Sequence, residues 1–177
     1  MGLADAPMNA FVREVTSIVI NNRSPVEITK NEEELFNSLP VHEVIPALQE
    51  IFQNAPDASI ESRAFDAILK IEALDRVQFL IEFMDKASAS WRAACCRRLA
   101  TFPGRRAIAK LCDVLLHDDA PDVRYAAVEA LAVIGDETAL AALAYAAEND
   151  TGQDYEGFRV ADIAQQTLQH IRSKAES

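Results

Sequence analysis

Glycine is scarce, with five in 177 residues, and runs of β-branched residues are few. Both shortages argue against a sheet-based fold, whose turns and strands draw on those residues. Cations are short too: 17 Lys and Arg face 28 Asp and Glu, a formal charge of −11. That excess discourages non-specific binding to DNA, RNA or anionic membranes. No uninterrupted apolar run approaches the roughly 20 residues that a membrane span needs. The opening MGLADAPMNAFVREV lacks the charged start and apolar stretch of a secretory signal, and Ala6 breaks the myristoylation pattern. A cytoplasmic protein is expected, with neither a membrane nor a nucleic acid as partner. The three cysteines, Cys95, Cys96 and Cys112, lack metal-ligand spacing. There is no Gly-rich phosphate loop, nucleophile elbow or paired-histidine metal motif. His42, His117 and His170 stand in different segments without a spacing relation. No catalytic residue, metal or cofactor is expected.

Half of the residues are hydrophobic, and the length suffices for a sizeable core. Their order is periodic. The stretch DVRYAAVEALAVIGDETALAALAYAAE, Asp122 to Glu148, has apolar residues three and four apart on both sides of an Ile-Gly-Asp corner, the spacing of two helices. Small residues crowd both halves, so the two helices can lie close together. The same pattern recurs without a gap at LPVHEVIPAL, IEALDRVQFL, FPGRRAIAKL and IGDETALAAL, opening at Leu39, Ile71, Phe102 and Ile134. In the second helices Ile45, Val77, Ile108 and Leu140 form one inward column, and Leu48, Leu80, Leu111 and Leu143 another. In the first helices Ala64, Cys95 and Ala127 match, as do Phe65, Cys96 and Val128, then Ile68, Leu99 and Leu131. A helix pair this short cannot bury its faces alone, so stacking is required. The cysteines fill core columns, Cys112 beside Ile81 and Ala144, and are expected to be buried.

The motif DVRYAAVEALAVIGDETALAAL resembles a HEAT repeat, of the short kind also found in bilin lyases, over roughly residues 30–173. The resemblance implies an all-α, right-handed α-solenoid (an α-α superhelix) of four to five helix pairs that binds proteins. The chain is expected to form one domain over 1–177. A helix at 8–22, with Phe11, Val12, Val15, Ile18 and Val19 in one stripe, caps the N-terminal end. Residues 30–54 read as a degenerate first repeat, with Asn31 a candidate N-cap. Repeats at 57–86, 88–118 and 119–150 follow, then a capping helix at 154–173. End units depart from the pattern because one face meets water.

Charge is uneven. Residues 88–118 carry a net +4, whereas 41–87 carry −5 and 119–153 carry −6. Arg97, Arg98, Arg105 and Arg106, with Lys110, form a basic patch, read either as neutralised by its acidic neighbours or as a docking site for an acidic segment. Arg92 and Arg124 share a column, which suits a ladder of arginine–carboxylate pairs between repeats. In the family the second helices line the concave face. By the wheel the outward columns there hold Glu43, Asp75 and Arg106; Phe79 and Lys110; Glu50, Glu82, Asp113 and Tyr145. These are the candidate partner-binding residues, with Phe79 as an aromatic anchor in an acidic ridge.

Three functions remain open. One is a non-catalytic scaffold or adaptor, monomeric or weakly dimeric, with a protein partner. Another is an acidic, immunity-type inhibitor that neutralises a basic toxin or nuclease, since complementary charge speeds association. The third is an enzyme like the bilin lyases; a DNA-glycosylase role would need a basic, aromatic groove that the chain does not announce.

Overall fold

A computed structural model of the chain describes residues 30–175 and positions 15 and 17–19. Among the described residues the regular structure is helical, with one isolated antiparallel bridge between Gln153 and Arg159. The chain divides into two compact units between Leu74 and Asp75.

The first unit holds α1 (Lys30–Ser38), α2 (Val41–Gln53) and α3 (Ala58–Lys70). Positions 15 and 17–19 are helical, with Val15 and Val19 buried; the rest of the expected 8–22 helix lies outside the described residues. Asn31 lies inside α1 instead of capping it. Asp57 caps α3, its carboxylate accepting from the Ser59 and Ile60 amides at 2.9 and 3.0 Å, which satisfies donors that the first turn leaves open. Every residue of α3 from Arg63 to Leu69 is buried, the signature of a central helix. Its neighbour α2 buries Val44, Ala47, Leu48 and Ile51, and the Phe52 and Phe65 rings meet at 6.1 Å. Asn37 ties the ends of α1 and α3, donating to the Lys70 carbonyl and accepting from the Glu72 amide.

The second unit holds α4 (Arg76–Met84), α5 (Ala89–Leu99), α6 (Arg105–His117), α7 (Pro121–Ile134), a 3₁₀ turn at Glu137–Ala139, α8 (Leu140–Asn149) and α9 (Val160–Ala175). Asp75 caps α4, Ser88 caps α5, and Pro121 opens α7. Gly135 closes α7 at φ +67°, its amide on the Leu131 carbonyl, a left-handed conformation that favours glycine. The first helices α5, α7 and α9 stack in order. Their contacts use small buried side chains: Ala93, Cys95 and Cys96, then Ala126, Ala127 and Ala130, then Ala161 and Ala164. Each second helix packs on the first helix that follows it, α4 on α5, α6 on α7 and α8 on α9. This stack of successive helix pairs is an α-solenoid.

Three expectations need correction. The helices on either side of Gly135 do not lie along one another: α7 packs on α5, α6 and α9, where its alanines are spent. The last helix starts at Val160, not near 154. Asp154 accepts from the Glu156 and Phe158 amides and Gly157 adopts φ +88°, so the chain turns there instead of coiling. The buried stripe of the second helices is also rotated. Leu48, Leu80, Leu111 and Leu143 are buried as expected, but Ile45, Val77 and Leu140 are only half-buried. Val44, Ala107 and Ala139, one position earlier, are buried, as are Ala47 and Ala142, which share the register of Phe79 and Lys110. A second helix faces the next first helix more than its own, and this turns its apolar stripe.

Candidate functional site

The candidate residues fall in both units. In the first, α2 carries Glu43, half-buried with His42 at 3.8 Å, and Glu50, exposed. In the second, α4, α6 and α8 carry Asp75, Phe79, Glu82, Arg106, Lys110, Asp113 and Tyr145.

The structure joins what the sequence separates into an acidic ridge and a basic patch. Arg106 donates to the Asp75 carboxylate at 2.9 Å and to the Gln78 side-chain oxygen at 2.6 Å. Gln78 in turn donates to Glu82 at 2.6 Å. The Arg106 guanidinium, then the Gln78 amide, hold the Asp75 carboxyl below the usual carboxylate range. Lys110 lies 3.8 Å from Asp85 and 3.7 Å from Asp113, and His117 meets Asp113 at 3.0 Å. On the other side of the same repeat Arg97 lies 3.4 Å from Glu129. Arg98 and Arg105 are exposed at the ends of α5 and α6. Asp136 is held low by the Thr138 hydroxyl and amide and, more weakly, by Arg105. The net positive repeat is thus neutralised by carboxylates of the repeats on both sides, through exposed pairs that are individually weak.

Phe79 is not an outward anchor. It is half-buried, its ring 5.8 Å from Phe83, which meets Trp91 edge-on at 6.1 Å. The three rings tie α4 to α5, a geometry that aromatic pairs favour. Tyr145, in contrast, is 60% exposed on α8. It borders a groove of about 240 Å³ with Leu115, Leu116, His117 and Asn149, and Arg124 and Asp150 also line it.

Arg124 and Asp150 belong to a ladder. Arg92 grips the Asp118 carboxylate with two bonds, 2.7 and 2.8 Å, and reaches back to the Ala87 carbonyl at 3.2 Å. One repeat on, Arg124 grips Asp150 at 2.7 and 2.9 Å and reaches back to the Asp118 carbonyl at 2.9 Å. Each carboxylate also accepts an amide two residues later, from Ala120 and Gly152. Burial pushes both carboxyls up, but the guanidinium and the amide outweigh it and leave them below the usual range. Bidentate charge-assisted pairing of this kind fixes geometry as well as charge. A Cβ on Gly152 would strike Arg124 Nη2 and lie 2.9 Å from Pro121 Cβ, so the rung requires glycine. The arginine column was readable from its spacing. Its acceptors stand at the same spacing, one residue beyond the His117 and Asn149 column, and were missed.

Cys95 and Cys96 are fully buried, and burial pushes both thiols up to about 12. Cys112 is only half-buried, and burial, then Asp136, raises its thiol. Among the described residues, no group of three or more His, Cys, Asp or Glu side chains converges to hold a metal. None of the described helices is long and apolar enough to cross a membrane.

Stacked helix pairs joined by an arginine–aspartate ladder define the class, an α-solenoid of short repeats. The family model of HEAT repeats matches residues 77–156, and over that stretch the chain is similar to HEAT repeats. The match covers α4 to α8 and both rungs of the ladder. No curated protein and no solved structure matches the chain. HEAT repeats generally mediate protein–protein interaction.

Proposed function

We propose that the chain is a non-catalytic binding module whose second-helix face, formed by α4, α6 and α8, receives a protein partner. The observation that carries this reading is the groove at Tyr145. A largely exposed aromatic ring and the exposed Leu116 line it together with the fixed Arg124–Asp150 rung. Aromatic side chains at a well-packed groove supply most of the binding energy in protein interfaces, and a rigid lining lowers the ordering cost of binding. Asp113 and Glu82 lie on the same helix layer as polar rim.

The test places a photoreactive residue at position 145 and, in parallel, at Lys86 in the turn after α4 as a control. Crosslinking in cells of the source organism is followed by mass spectrometry. A discrete protein adduct at 145 that Leu116→Ser removes supports the reading. No adduct at 145, or the same adducts from both positions, overturns it.

A further inference from the structure

The first-helix layer of the second unit carries a separate groove of about 410 Å³. It opens over α5 and α7 and is closed on one side by the turn at 154–157. Two aromatic rings line it, Tyr125 on α7 and Tyr155 on the turn. Tyr155 is 82% exposed; the neighbouring Phe158, 56% exposed, has its ring 6.4 Å from that of Tyr125. Rings so exposed would be expected on loose chain, yet this chain is built. The Tyr155 amide donates to the Asp122 carboxylate at 2.7 Å. The Asp154 amide donates to the Phe158 carbonyl at 2.9 Å, and its carboxylate accepts from two amides of the turn. The backbone that presents the rings is therefore ordered before any partner arrives.

Charge selects the occupant. Asp122, Glu129, Asp154 and Glu156 line the groove against one cation, Arg97. The Tyr125 hydroxyl is raised by burial and then by Glu129, Asp154 and Glu156, so the potential over its ring is negative. Flat rings beside carboxylates suit a guanidinium, which can stack on a face while its edge pairs with a carboxylate; an ammonium has no such plane. The chain supplies its own precedent: Arg97 lies along the groove and pairs with Glu129 at 3.4 Å.

We propose that this groove docks an arginine-bearing basic segment of a partner protein, with the guanidinium between the Tyr125 and Tyr155 rings and paired to Glu156. The site is separate from the Tyr145 groove and does not depend on it.

The probe is a labelled arginine-rich peptide and a lysine-rich peptide of equal charge, titrated against the whole chain by fluorescence anisotropy. The arginine peptide should bind more tightly. Tyr155→Ala should weaken it about fivefold while Tyr155→Phe retains affinity, within the range of cation–π contributions. Glu156→Gln should weaken it more than Glu148→Gln, an equal charge change on α8, and Tyr145→Ala should leave it unchanged. Tyr155→Ala keeps the amide that Asp122 holds, and far-ultraviolet circular dichroism checks its fold. Absence of binding, equal affinity for both peptides, or a Tyr155→Ala loss no larger than that of Glu148→Gln would overturn the assignment and leave only the net charge.

Discussion

The two units hold their arginines in opposite ways. In repeat register Arg92 and Arg124 stand in one column, and the first unit has Glu61 there. The arginine of α3, Arg63, falls two positions later, where the second unit has Ala94 and Ala126. Arg63 is 2% exposed and donates to Glu32 at 2.9 Å and to the Val19 carbonyl at 3.2 Å. Arg92 and Arg124 keep 21% and 16% of their side chains exposed and each joins two successive interrepeat loops. The buried pair is local, joining α3 to α1 and to the backbone at Val19, and its desolvation cost means that it specifies these contacts more than it stabilises them. A ladder at the edge costs less to desolvate and propagates, because each rung uses the loop that the previous rung has fixed. Alanine in the other column then lets α5 and α7 approach closely. The repeat pattern is thus kept where charge is moved out of the helix interface.

The sharpest way to break this contrast is to remove one partner of the buried pair. Arg63→Met takes the buried guanidinium away from Glu32, and should destabilise the protein by about 3–5 kcal/mol. Arg63→Met with Glu32→Leu should recover most of that loss, since the uncompensated charge is gone. Urea denaturation followed by circular dichroism measures both. A single variant as stable as the parent would mean that the pair is solvated and that the two units do not differ in this respect.

The ladder should respond less. Arg124→Met should cost about 2 kcal/mol, the scale of hydrogen bonds to a charged group, after allowance for its partial exposure. Gly152→Ala should act in the same direction by forcing the Arg124 fork off Asp150. Acid sharpens the test. Asp118 and Asp150 have folded-state pKa values below their unfolded ones. Their contribution is therefore complete above about pH 4, the unfolded aspartate value, and is lost as pH falls through the lower folded values. Asp118→Asn with Asp150→Asn should flatten the acid limb of stability against pH. An unchanged limb would assign acid lability to other carboxylates.

How much of this was readable follows from the same contrast. In the second unit the spacing of Arg92 and Arg124, and the first-helix columns through Cys95 and Leu131, carry the fold because each position is written again a repeat later. The first unit offers no second copy of α1, so nothing in the sequence pairs Glu32 with Arg63. Phe79 failed for a different reason. Periodicity gives the helical period but not which neighbour a helix faces, and a second helix turned toward the next first helix takes Phe83 onto Trp91 and lays the Phe79 ring, one turn away, against Phe83. The Tyr155 groove was hidden because its walls come from a turn that the repeat does not contain; the only signal was an Asp-Tyr-Glu-Gly run read as helix.

The smallest effect separates the thiols and is a labelling difference, not a stability change. Cys95 and Cys96 fill columns of α5 that face its helix neighbours and are inaccessible; Cys112 on α6 is half-buried. A thiol reagent at neutral pH should therefore modify Cys112 first in the native protein and all three in denaturant, since reaction needs an accessible thiolate. Cys112→Ser should abolish the native phase and leave the denatured total lower by one. Raising the pH offers an independent check. With Cys95 and Cys96 pushed up to about 12 in the folded state and near about 8.5 when unfolded, their contribution is complete below the unfolded value. It is lost as pH rises toward the folded one, because the unfolded chain releases the protons first. Cys95→Ala with Cys96→Ala should weaken that alkaline loss without abolishing the Cys112 phase. If all three thiols label together in the native state, α5 opens as readily as the edge of α6, and the close stacking of first helices cannot be what holds the second unit together.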